Sequence, residues 1–175
     1  HVAEIMQSDT LADVAKAMKA TSNKEKYEQD EVNGLISFSP IMRAYLKEKK
    51  EIVKDFVHTC IISADCDEET VRKAINKLLS HHDMLRGTFT EKGIEIYPSK
   101  EREVYSFKSI TIEDTDEAKE RLRDTKLEED KLVNVIYCKT GKENLVSITV
   151  HHFLIDLISW EVLIKDFNTI INQIK

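Results

Sequence analysis

Two β-branched runs limit most strongly what this chain can become. They are Leu132-Val133-Asn134-Val135-Ile136-Tyr137 and Leu145-Val146-Ser147-Ile148-Thr149-Val150. Thr140-Gly141-Lys142-Glu143-Asn144 lies between them and reads as a hairpin turn. Next comes a helical pattern from about Ser159 to Ile174, with Trp160, Leu163, Ile164, Phe167, Ile170, Ile171 and Ile174 on one face. Apolar strands and an apolar helix face bury one another as layers, so an α/β structure with helices packed on a mixed sheet is predicted. The link from the second strand to the helix reads TVHHFLIDLISW, residues 149–160. Imidazoles and a carboxylate are costly to bury unless paired or used in chemistry.

The remaining elements follow the same alternation. Residues 2–20 carry a helical pattern broken at Ser8-Asp9-Thr10, where Thr10 or Asp9 can cap a second helix with Asp13 near its start. Residues 21–33 are polar with almost no apolar anchor and read as a linker, so a domain boundary is expected near residue 30. Ser39-Pro40 fits an N-cap and first helical position. Residues 55–63 read as a strand. Asp67 caps a helix running to about Leu85, with Val71, Ile75, Leu78, Leu79, His82 and Leu85 on one stripe, and Gly87 suits its end. Residues 88–97 suggest a hairpin around Glu91-Lys92-Gly93, residues 104–112 a strand, and residues 115–128 a charged helix.

Composition excludes some partners. The net charge of -6 disfavours a nucleic-acid surface, which needs clustered Lys and Arg. No apolar run reaches the ~18 residues of a membrane span, and no secretory peptide is visible. Cys60, Cys66 and Cys138 have no metal-type spacing, lie in strand-like stretches, and read as reduced thiols of a cytoplasmic protein. The start at His1 reads as that of a segment cut from something longer.

The candidate chemistry is carried by histidines. His81 and His82 lie near a helix C-terminus, where the dipole and packing explain them, and His58 reads as structural or exposed. His151 and His152 end an inner-looking strand, where α/β proteins place functional groups. Strand alternation puts His152 in phase with Val146, Ile148 and Val150, and His151 with Ser147 and Thr149. The rings should diverge, so one metal clamp is not expected. Asp156 is placed to meet an arginine or orient a histidine. On spacing alone, a functional cluster and a structural one both remain open. No glycine-rich phosphate loop and no GxSxG elbow is present.

Three stretches together bring a family into view. HHFLIDLISWEVLIKDF resembles the HHxxxDGxSW signature of condensation and epimerization domains of nonribosomal peptide synthetases. SPIMRAYL resembles the SPIQxWF opening of epimerization domains, and HHDMLRGTF resembles their HHDxLRxxF signature. The order and spacing agree over about residues 35–175, and Ser159-Trp160 with His81-His82-Asp83 favour the epimerization branch. VAEIMQSDTLADVAKAM is similar to the end of a peptidyl carrier domain, after its phosphopantetheine serine. The resemblance implies residues 1–20 as carrier-domain helices, 21–34 as linker, and 35–175 as the N-terminal lobe of a two-lobe domain. The implied fold is a chloramphenicol-acetyltransferase-like sandwich, a mixed sheet flanked by helices.

The resemblance also implies a reaction and site roles. Epimerization converts the L-residue of a carrier-bound aminoacyl or peptidyl thioester towards D, by removing and returning its α-proton. His152 is then the acid/base candidate, with His151 and Asp156 as catalytic support and Asp156 salt-bridged to Arg86. Arg86, His82 and Trp160 are structural supports, and Leu157 and Ser159 face the substrate channel. Leu157 stands where the family keeps glycine, which would narrow the channel or shift the loop. Met42 and Ala44-Tyr45 also depart from the opening motif. No cofactor or metal is bound directly; a carrier domain delivers the phosphopantetheine arm. Implied partners are that carrier domain, the C-terminal lobe, and the adenylation and condensation domains of the synthetase, with no nucleic acid and no membrane. One lobe cannot form a two-lobe site, so this chain alone is expected to be inactive. The alternatives are a condensation domain forming a peptide bond between two carrier-bound substrates, and a non-catalytic carrier-binding lobe.

Overall fold

The computed structural model describes residues 10–13, 15, 30–49, 55–100, 103–128 and 130–175. The chain divides into two compact units, His1–Asp30 and Glu31–Lys175. In the first, a helical turn begins at Leu11. Thr10 Oγ1 accepts the Asp13 N–H at 3.3 Å and donates to the Asp13 carboxylate at 2.6 Å, a reciprocal cap. The other helical residues expected within 1–20, and most of the linker expected at 21–34, lie outside the described residues.

The second unit runs β1 (Gly34–Ser37), α1 (Pro40–Lys49), β2 (Val57–Ser63), α2 (Glu68–His81), a 3-10 turn (Asp83–Arg86), β3 (Gly87–Thr90) and β4 (Gly93–Ile96). It continues with β5 (Ser106–Thr111), α3 (Thr115–Arg123), β6 (Val133–Lys139), β7 (Asn144–His151) and α4 (Leu157–Ile174). Four strands form a mixed sheet in the order β2-β7-β6-β5. β6 and β7 are the antiparallel hairpin expected from their turn, β2 pairs antiparallel with β7, and β5 pairs parallel with β6. The parallel pair needs a crossover, and α3 lies within it. β1, β4 and β3 make a separate antiparallel sheet.

Period-2 alternation divides the large sheet into two buried faces. Val133, Val135 and Tyr137 of β6 and Val146, Ile148 and Val150 of β7 join Val71, Ile75 and Leu78 of α2 and Trp160, Leu163 and Phe167 of α4 in one core. Cys138 and Leu145 point the other way and meet Ala118 and Leu122 of α3. Each fully buried large side chain here contributes about 1.5–3 kcal/mol. The result is a layered sandwich, with β7 inside the sheet rather than at its edge.

Some boundaries differ from expectation. β1 falls across the end of the expected linker; four residues are too few to show a period, and its pairing with β4 is long-range. Gly93 makes that pairing possible, since a Cβ there would sit 2.0 Å from Ile36 O. α2 stops at His81 because His82 leaves helical backbone at φ -106, ψ 91. Gly87 therefore ends no helix. It opens β3 in extended conformation, and its missing side chain leaves room for Ile94, whose Cγ2 would lie 2.6 Å from a Cβ. α3 ends at Arg123 rather than 128, and Thr125 Oγ1 donates to Leu122 O at 2.7 Å there. Cys60 and Cys138 are strand residues, but Cys66 lies in the turn before α2. All three thiols are free, and burial raises each above its ordinary pKa. Among the described residues, no helix is long and apolar enough to cross a membrane.

Candidate active site

Backbone pairing sets the two histidines at the end of β7. The His151 N–H donates to Leu132 O on the β6 side, and the His152 N–H donates to Phe56 O on the β2 side, each at 2.9 Å. Alternation then sends the rings apart. His151 is 1% exposed and packs among Phe89, Phe153 and Phe56, with ring centroids at 4.7, 5.2 and 6.1 Å. Its Nδ1 accepts the Phe153 N–H at 3.1 Å, which shapes the turn after the strand.

His152 is half-buried and has a different partner. Its Nδ1 lies 3.0 Å from Ile155 O. A carbonyl only accepts, so Nδ1 carries a proton, and in the neutral ring Nε2 holds the lone pair. That tautomer suits a general base. Phe56 holds the ring edge-on at 4.6 Å, and Tyr45 of α1 stacks on Phe56 at 4.8 Å. His152 lines a cleft of about 440 Å³ together with Ile41, Met42 and Tyr45 of α1, Phe56, the 153–156 loop and Ser159. α1 starts where the sequence predicts, with Ser39 Oγ accepting the Met42 N–H at 3.3 Å ahead of Pro40.

Asp156 serves α4. Its carboxylate accepts the Ser159 N–H at 2.7 Å, and α4 begins at Leu157, two residues earlier than expected. That backbone hydrogen bond, first among several, holds the Asp156 carboxyl below its usual range. The expected Arg86–Asp156 ion pair does not form, because each partner is engaged elsewhere. Arg86 is buried, pairs with Asp83 at 2.7 Å and Glu31 at 3.3 Å, and donates to the carbonyls of Leu79, Tyr97 and Val32. It thereby satisfies an orphan carbonyl of the last turn of α2.

The other predicted residues are dispersed around this centre. His82 Nε2 bonds Asp166 Oδ2 at 2.9 Å and ties the end of α2 to α4. His81, His82 and Asp166 bring ligand atoms within 4.8 Å of one another. Trp160 is buried in the α4 core face. Ser159 lines the cleft, whereas Leu157 is 74% exposed and lies outside the cleft lining.

Sequence reading missed one neighbour. His58 of β2 stacks on His152, with ring centroids at 4.3 Å and planes 25° apart. Burial, and then the charge of His152, hold its pKa below the ordinary imidazole value. The pairing of β2 with β7 is the signal that would have revealed it, and that pairing spans about ninety residues.

A protein-family model described as "Condensation domain" matches residues 46–175. Bacitracin synthase 3 of Bacillus licheniformis is 25% identical over 183 residues, covering 97% of this chain and 3% of that protein. Tyrocidine synthase 2 of Brevibacillus parabrevis is 23% identical over 183 residues, covering 97% of this chain and 5% of that protein. The chain thus spans only a few per cent of the relatives' length. Among solved structures, the epimerization domain from the third module of tyrocidine synthetase B superposes with a TM-score of 0.71 at 24% identity. That match covers 84% of this chain and 36% of the solved chain. A starter condensation domain of rhizomide synthetase gives 0.59 at 10% identity, covering 81% and 37%.

Proposed function

Because this chain belongs to the condensation-domain family, we propose that it contributes the N-terminal lobe of an epimerization domain in a modular peptide synthetase. Residues 1–20 are then the end of a carrier domain, and 21–34 its linker. The carrier's phosphopantetheine arm brings an aminoacyl or peptidyl thioester to the cleft as substrate. His152 Nε2 takes the α-proton, which the thioester carbonyl acidifies, and a proton returned to the opposite face gives the D-residue. A histidine suits this because its pKa lies near working pH. The observation that carries the reading is the His152 Nδ1–H to Ile155 O hydrogen bond, which leaves Nε2 as the basic atom in an apolar cleft. His151 and Asp156 act through position, one bracing the turn and the other starting α4.

The similarity to the tyrocidine synthetase epimerization domain supports this branch. The family description itself favours a second reading, in which the same histidine assists an amine attacking a thioester to form a peptide bond. The test uses the longer protein with both lobes and a loaded carrier, following solvent-deuterium uptake at the α-carbon. Uptake in the wild type that falls by about 10²–10⁴-fold in His152→Ala is expected for the proposed reaction. Amide formation between two loaded carriers without α-exchange would replace it with condensation.

A further inference from the structure

The stacked pair in front of β7 carries an inference beyond the role of His152. His58 sits opposite Val150 in the β2–β7 register, and strand alternation brings it to the face that leads to His152. The His152 ring is thus held three ways, by Ile155 O at Nδ1, by Phe56 edge-on, and by His58 across its face. This arrangement discriminates between protonation states. Two neutral imidazoles stack without penalty, and one imidazolium over one neutral ring is attracted electrostatically. Two imidazolium rings at 4.3 Å repel each other.

We infer that His58 is a positioning residue of this site, whose neutral ring, stacked across the face of His152, fixes the direction in which Nε2 of His152 points. The assignment of catalysis to His152 rests on the function proposed above; the positioning of its ring does not. The lowered pKa of His58 agrees with the geometry, with burial as its first cause and the His152 charge as its second. Other titratable groups surround the pair without replacing it. Tyr45 of α1 and Asp156 line the same cleft, and the Asp156 carboxylate is turned to the Ser159 N–H. His151 lies on the opposite strand face, and Asp55 beside β2 pairs with Lys126 at 3.7 Å.

The experiment is an NMR titration of the histidine ring nitrogens in the 175-residue chain, from about pH 5 to about pH 9. Wild type is compared with His58→Gln, His58→Phe and His152→Gln. In the wild type, His58 is expected to take up its proton below the ordinary imidazole value of about 6.5. His152→Gln removes the charge that His58 faces and should move the His58 step to higher pH. His58→Phe keeps an aromatic stack, so it should preserve the His152 ring orientation, read from contacts of its ring protons, that His58→Gln loosens. A His58 step that His152→Gln does not move, with a His152 ring undisturbed by His58→Gln, would overturn the inference. In the two-lobe protein, His58→Gln should lower the rate of α-proton exchange at unchanged KM, and His58→Phe should retain it. Loss of exchange in every protein, with the ring positioning intact, would refute the epimerization reading and leave the positioning standing.

Discussion

Asp156 joins the chemistry of the cleft to the start of a helix. Its carboxylate caps α4, and Ile155 before it and Ser159 three residues after it line the cleft beside His152. The hydrogen bond from the Ser159 N–H depresses its folded-state pKa, so the ionised form stabilises the fold. That contribution is fully present above the unfolded pKa, about 4, and is lost as pH falls through the lower folded value. Asp156→Asn keeps a capping acceptor but removes the titration. The stability difference between Asp156→Asn and wild type should therefore be constant above about pH 5 and change at lower pH. Denaturant unfolding at a series of pH values checks this, and a difference flat across the whole range would contradict it.

Elements are joined here by single polar side chains placed at their ends. Arg86 is the clearest case, since one buried guanidinium reaches the last turn of α2, the end of β4 and the strand entry at Val32. Arg86→Met removes the charge and strands Asp83 and several carbonyls, and should cost about 3 kcal/mol, read from the urea midpoint. Arg86→Lys should recover only part of this, because an ammonium lacks the planar fork. Local patterns revealed most of these elements. Asp67, Ser39 and Thr10 are caps with visible acceptor oxygens, and α2 and α4 show their stripes. β1 and the true ends of α2 and α3 were hidden, because they depend on pairing and terminal hydrogen bonds that no short window contains.

At the scale of the molecule, the site is an assembly of distant segments. The placement of His151 and His152 was legible, because an apolar strand followed by a helical pattern locates a strand end and its alternation. The contacts of those rings were not. Phe56 and His58 arrive from β2 and the residue before it, Phe89 from the small sheet, and Tyr45 from α1, each by tertiary pairing. The Arg86–Asp156 pair that does not form shows the same limit, since opposite charges in a sequence do not disclose which way each side chain turns. His151 and His152 hook onto opposite neighbours of β7, and this governs how the region breathes. Their amides are the last rungs on both sides of an inner strand, and the next two are tied inward, Phe153 N–H to His151 Nδ1 and Leu154 N–H to His151 O. Exchange of these four amides with deuterated water then requires β7 to part from its neighbours or its turn to unravel. They should exchange slowly, with the interior of β7, and Leu157 and Ile158 at the exposed start of α4 should exchange much faster. Equal rates at the two places would show that the turn opens by itself. Slow exchange would mean that the histidine's alignment is inherited from folding, and no ligand is needed to bring it about.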